Sequence, residues 1–203
     1  MATWVVTSFV AAWWVFDGSQ VTRWRWLAGA LGAVPRRWVN VTTGFDDTTT
    51  ALRELFPASA GVTVDLFDPG APHERSILRA RAARPPAEGA ISARSAAIPV
   101  ADGWADAVLF LMAAHELRDV GAHAAAFAEA RRILAPGGRI VVVEHLRDVA
   151  NALAFGPGVL HFVSRRSWIG AATESGLALL DEVRLTPFVR GFVLATSPAA
   201  EGA

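Results

Sequence analysis

A segment of helical period, residues 122–134, runs into Pro136-Gly137-Gly138 and then into the unbroken run Ile140-Val141-Val142-Val143. Pro and Gly end the helix, and an apolar run with no polar alternation is the pattern of a strand buried on both faces. A strand of that kind belongs to a parallel sheet, which needs crossover helices and so fixes the chain as α/β. Similar apolar strands are expected at 38–42, 62–67 and 107–113, with a weaker one at 90–93. Helices are expected at 20–33, 48–56, 73–83 and from Ser167 to residue 175. Residues 177–185 and 188–196 read as two closing strands around Thr186-Pro187. In such a sheet ligands sit beyond the carboxyl ends of the strands, so the loops there are the ones to examine.

Composition narrows the chemistry. The chain has 203 residues, 53% hydrophobic and 19% charged, enough for one domain with a large core. Its 19 cations, all Arg, balance 19 carboxylates, which argues against a nucleic-acid footprint and for a small-molecule substrate or a protein partner. Without Cys or Tyr, disulfides, thiolates and phenols play no part. The first sixteen residues carry no charge but include Trp4, Trp13 and Trp14. They lack the basic start of a signal peptide and fall short of the roughly 20 apolar residues a membrane span needs. They are expected to form a helix covering the domain or a homodimer partner, without stable insertion in a membrane, and the cytoplasm is the expected compartment. The division expected is an N-terminal helical cap at 1–34, the α/β domain at 35–198 and a disordered tail at 199–203.

Three stretches together resemble the class I S-adenosylmethionine (SAM) methyltransferases of the type 11 group. They are Ile98-Pro99-Val100-Ala101-Asp102-Gly103-Trp104-Ala105-Asp106-Ala107, then Ala114-His115-Glu116-Leu117, then Glu129-Ala130-Arg131-Arg132-Ile133-Leu134-Ala135-Pro136-Gly137-Gly138. The resemblance spans about 38–196. It implies a Rossmann-like, doubly wound, mostly parallel seven-stranded sheet with an antiparallel C-terminal strand, here preceded by N-terminal helices. It also implies SAM as cofactor, held after the first strand at Thr42, Thr43 and Gly44, with Asp65 on the ribose. The family's Gly-rich loop is reduced here to Gly44, and Arg94 stands where an acidic residue receives the adenine amine, leaving Ser95 for that contact. Asp46 and Asp47, at the start of a helix, would repel a pyrophosphate, which disfavours NAD, FAD and nucleoside triphosphates.

His115 and Glu116 follow the fourth strand, where the family faces the transferred methyl group, and His145 follows the fifth. The expected catalytic set is His115 as base with Glu116 or His145 orienting it. Should the site hold a metal, His115, Glu116, His145 and His161 are the ligands. His123 reads as a surface residue and His73 as a loop residue. The long connection 146–166 is expected to form an apolar acceptor pocket, with substrate contacts from Arg147, Asn151, Phe155 and His161. The expected activity is methylation of a hydrophobic or aromatic small molecule. The alternatives are a methyltransferase-fold enzyme that no longer uses SAM and a non-catalytic partner subunit.

Overall fold

A computed structural model describes residues 2–19, 21–71, 75–117 and 120–197. Helix α1 (Ala2–Trp13) continues through a π-helical turn (Trp14–Gly18) and a 3₁₀ turn (Val21–Arg23) into α2 (Leu27–Leu31). The expected single helix at 20–33 is therefore broken. Trp24 takes φ +53°, a left-handed conformation incompatible with a continuing helix, while its ring is buried. After α2 the chain alternates β1 (Arg37–Thr42), α3 (Thr49–Leu55), β2 (Ala60–Asp65), α4 (Arg75–Ala83), β3 (Ile91–Ser92), β4 (Ala105–Leu111), α5 (Val120–Ile133) and β5 (Leu134–His145). Helices α6 (Val149–Phe155) and α7 (Arg165–Glu174) and strands β6 (Leu177–Arg184) and β7 (Val189–Thr196) complete it. Ser164, rather than Ser167, caps α7: its hydroxyl accepts from the Ser167 amide.

The sheet order is β3-β2-β1-β4-β5-β7-β6, with β7 antiparallel to both neighbours and the other six strands parallel. This is the Rossmann-like methyltransferase fold, with N-terminal helices. Strand order reverses between β1 and β4, so the crevice where ligands bind opens at the ends of those two strands.

Strand periodicity sorts the core into two layers. Val39, Val41, Val108, Phe110, Ile140 and Val142 face α5 and α7 with Phe127, Ile133 and Trp168. Trp38, Ala107, Leu109, Leu111, Val141 and Val143 face the other way, against Leu52, Phe56 and the N-terminal Val15, Trp24, Leu27 and Leu31. The N-terminal helical region thus shares a core with the sheet. No helix among the described residues is long and apolar enough to cross a membrane. His73 and the tail 199–203 lie outside the described residues.

The stretches that carried the resemblance are joined by Arg132. Its guanidinium donates to Glu129 (2.7 and 2.8 Å), to the Ile98 and Val100 carbonyls (2.8 and 3.0 Å) and to Asp102, while Glu129 accepts from the Ile98 amide. That network clamps the 98–103 turn onto α5 and holds the start of β4 in register.

Candidate active site

At the end of β1 the chain must turn sharply into α3. Asp46 caps that helix, its Oδ1 accepting from the Thr48 and Thr49 amides (3.0 and 2.9 Å). The buried Asn40 amide reaches the Thr48 and Thr49 hydroxyls, and Thr43 donates to the Ala113 carbonyl at 2.7 Å. The last bond ties the β1 loop to the loop after β4, directly across the point where strand order reverses. Gly44 sits at φ +96°, where glycine is strongly preferred.

Asp65, at the end of β2, is 2% exposed and fully engaged. Its Oδ1 accepts from the Gly44 and Phe67 amides (2.8 and 3.1 Å), and its Oδ2 from Arg81 of α4 (2.5 Å), which also reaches the Gly44 carbonyl. The Arg81 guanidinium lies over the Phe67 ring at 4.3 Å. That ring closes on Gly44 so tightly that a Cβ there would come within 2.5 Å of it. Arg94 is exposed and pairs through its backbone with Ala97, enclosing the half-buried Ser95 in a turn.

This arrangement is the test of whether an adenosyl group fits. The donor set has the right chemistry: a strand-end carboxylate able to accept two hydroxyls, beside a glycine turn with free φ. Arg81 now occupies the carboxylate as a hydrogen-bond donor in place of a diol, and Phe67 fills the space over Gly44. The residues fit the group once those two side chains rotate away, and neither belongs to the backbone of the turn.

On the other side of the reversal point, His115 lies in a 3₁₀ turn after β4 (Ala114–Glu116). Its Nδ1 pairs with Glu144 at 2.8 Å and its Nε2 with Glu116 at 3.3 Å, and the His115 amide donates to Glu144 as well. Glu144 is wholly buried. Two carboxylates acting on the two ring nitrogens require a proton on each. Burial opposes that charge, but the neighbouring Glu144 charge and the hydrogen bonds to Glu116 and Glu144 push the His115 pKa up to about 10. The residue expected to be a base is therefore an imidazolium at neutral pH.

The structure places Glu144 where His145 was expected. Successive residues of β5 face opposite sides of the sheet, so Glu144 shares the side of Ile140 and Val142, with α5 and α7, and His145 faces away. His145 pairs with the Phe188 carbonyl (2.9 Å) and stacks on Phe162 at 5.0 Å, with Phe155 edge-on at 5.4 Å. Burial lowers its pKa, so it is neutral at pH 7. Asn151, also buried, joins Asp148 to the same Phe188 carbonyl. Phe155, Asn151 and His145 thus pack the base of α6.

His115 opens on a cleft of about 310 Å³ lined also by Leu117, His123, Arg147, Leu160, His161, Val163, Ser164, Ser167 and Ala171. Arg147 and His161 therefore stand in the pocket wall, Arg147 braced by the Phe162 carbonyl at 2.9 Å. His123, expected on the surface, is buried there; its Nε2 donates to the Ala114 carbonyl (3.0 Å) and its ring meets Trp168 at 4.7 Å. Its spacing with Ala126, Phe127 and Ala130 on the inward stripe of α5 was the available signal. Among the described residues no group of three or more His, Asp or Glu is placed to hold a metal ion. His115, Glu116, His145 and His161 are accordingly not gathered as a ligand set.

Comparison with known proteins agrees with this geometry. A family model described as a methyltransferase domain matches residues 40–142. A demethylmenaquinone methyltransferase from Thermus thermophilus is 36% identical over 125 residues, 60% of this chain and 54% of that protein. The chain thus spans about half the length of this curated relative. Among solved structures, the pyocyanin biosynthetic protein PhzM superposes with a TM-score of 0.62 at 19% identity, covering 87% of this chain and 55% of its own. The Burkholderia thailandensis 1,6-didemethyltoxoflavin-N1-methyltransferase, solved with its substrate and S-adenosylhomocysteine, gives 0.60 at 14% identity, covering 95% and 88%. With half of its length matched by the family model and its fold shared with these enzymes, the chain belongs to the methyltransferase domain family.

Proposed function

We propose that this protein methylates an acidic hydroxyl on a small, largely apolar molecule, with SAM as donor. The observation that carries the reading is the His115–Glu144 pair, set at the ends of β4 and β5 and opening on a cleft lined by both apolar and polar side chains. Asp65 would hold the ribose hydroxyls and the Gly44 turn would pass beneath the rest of the donor. When bound, the donor supplies a methyl group on a cationic sulfur that leaves with the C–S electron pair.

The chain's own part is to bind and orient the acceptor. An imidazolium cannot take up a proton, so His115 acts as a hydrogen-bond donor. The acidic hydroxyl gives its proton to solvent, and the resulting anionic oxygen displaces Glu116 from Nε2 and is held there, while Glu144 fixes the ring from behind. Arg147 in the cleft wall adds a cation, which favours a phenolate- or enolate-like oxygen over a neutral alcohol. Leu117, Leu160 and Val163 receive the apolar body. One similar protein, by its name, methylates demethylmenaquinone, which supports a small-molecule acceptor.

The test is transfer of labelled methyl from SAM to a panel of phenols, quinols and matched alkyl alcohols. Phenols and quinols are expected to be methylated and alkyl alcohols not, with His115→Ala lowering kcat/KM at least about a hundredfold. Equal turnover of alcohols, or an active His115→Ala, contradicts the assignment.

A second reading, a methyltransferase-fold enzyme without SAM, draws on the closure of Asp65 by Arg81 and Phe67. Calorimetric titration with SAM separates the two.

A further inference from the structure

Helix α1 is turned inside out. Two of its hydroxyl side chains face the protein: Thr7 and Ser8 both donate to the Ala154 carbonyl at the end of α6 (2.8 and 3.1 Å). Ala11 and Val15 continue that buried stripe, and Gly156 makes room for the inner edge of the Trp4 ring. Its apolar side chains face outward, with Phe9 77%, Val5 63%, Trp13 62% and Val10 57% exposed. An ordinary surface helix does the reverse.

The exposed face does not end with α1. Helix α6, packed beside it, exposes Val149 (76%) and Leu153 (71%), one turn apart, and Leu160 (69%) follows. The two helices, in contact with each other, both expose apolar side chains, with Trp4, Trp13 and Trp14 partly exposed as well.

The cations beside this surface are the exposed Arg23, Arg25 and Arg147, against Asp17 and the half-buried Asp148, a surplus of one in a chain whose net charge is zero. The exposed Arg23 and Arg25 adjoin the Phe16 end, where the Thr22 hydroxyl bonds the Phe16 carbonyl. The exposed Arg147 adjoins the other end, where its guanidinium reaches the Leu160 carbonyl. The arginines stand at both ends of the apolar face. Anionic headgroups complement them, tryptophan prefers the boundary between headgroups and acyl chains, and an uncharged apolar helix too short to span lies flat in that layer.

We propose that the joined outer faces of α1 and α6 dock this protein on the surface of a bilayer containing anionic lipid. The inference is independent of the catalytic reading. On that reading, Leu160, Arg147 and His161 are shared between the docking face and the cleft wall, so an acceptor dissolved in the bilayer would enter without crossing water.

The test is flotation of the full chain with vesicles of phosphatidylcholine alone and of phosphatidylcholine with about one-third phosphatidylglycerol, alongside light-scattering size measurement. The expected result is partition into the anionic vesicles, weakened at least about tenfold by the double substitution Phe9→Ser, Val10→Ser. Both side chains are exposed, and an unchanged circular dichroism spectrum confirms that the fold is intact. Arg23→Glu with Arg25→Glu should weaken binding to the anionic vesicles in particular. Three results overturn the proposal: no partition into either vesicle, equal partition into both, or partition unchanged in the Phe9/Val10 variant. A dimer that ignores vesicles and dissociates in that variant assigns the face to a second copy instead.

Discussion

Arg81 closes the donor site, and its removal gives a quantitative test. Its guanidinium donates to the nearly inaccessible Asp65 carboxylate and to the Gly44 carbonyl, and lies over Phe67. A hydrogen bond to a charged group is worth about 1.5–3 kcal/mol net, and a partly shielded cation–π contact about 0.5–1 kcal/mol. An adenosyl group that claims Asp65 must break these contacts, so closure weakens its binding by roughly 2–3 kcal/mol after some of them re-form with solvent. In Arg81→Ala the site is open beforehand. S-adenosylhomocysteine should then bind tighter by about thirty- to a hundred-and-fiftyfold, measured by isothermal titration calorimetry. The ligand-free variant should melt lower, because Asp65 keeps its two amide donors but loses its cation, and the ligand should restore much of the loss. Weaker or unchanged binding in Arg81→Ala would refute the reasoning: Arg81 would then hold the ligand or stand outside its site.

The folded-state pKa of His115, about 10, exceeds the ordinary 6.5. Its contribution to stability is therefore complete below about pH 6.5 and is lost as pH rises toward about 10. Its ring should remain protonated at pH 8 by NMR, and the fall in melting temperature from pH 7 to 10 should be smaller in Glu144→Gln. Glu116→Gln should lower the His115 pKa while leaving Glu144 in place, and its methyl-transfer rate should begin to decline at a lower pH than the wild type's. Arg132→Ala removes donors from two backbone carbonyls and two carboxylates; a loss of about 2 kcal/mol should lower Tm by roughly 4–8 °C in a chain of this size, read by calorimetry, with no change in ligand affinity.

The strands and their parallel order were legible because continuous apolar runs and the Pro136-Gly137-Gly138 stop are local signals. Gly44, Asp65 and His115 were legible as strand-end residues, since such positions can be counted along the chain. What escaped depends on which face of the sheet a side chain takes. Glu144 and His145 are adjacent, and only the packing of α5 and α7 decides which of them meets His115. His123 was obscured by an alanine-rich helix whose buried stripe is weakly marked. The closure by Arg81 and Phe67 joins α4, β2 and the β1 loop through contacts 16 to 37 residues apart. Nothing in the local sequence announces it. The inverted α1 was half legible: the missing charges were plain, but that Thr7 and Ser8 would face inward was not.

Methyl transfer by this chain requires an adenosyl group to enter at Gly44 and Asp65. Calorimetric titration of the intact protein with S-adenosylhomocysteine, repeated on Asp65→Ala, tests this directly. One-to-one binding is predicted, falling at least about tenfold when the carboxylate is removed. An absence of heat at millimolar ligand, or equal affinity in both proteins, would contradict it.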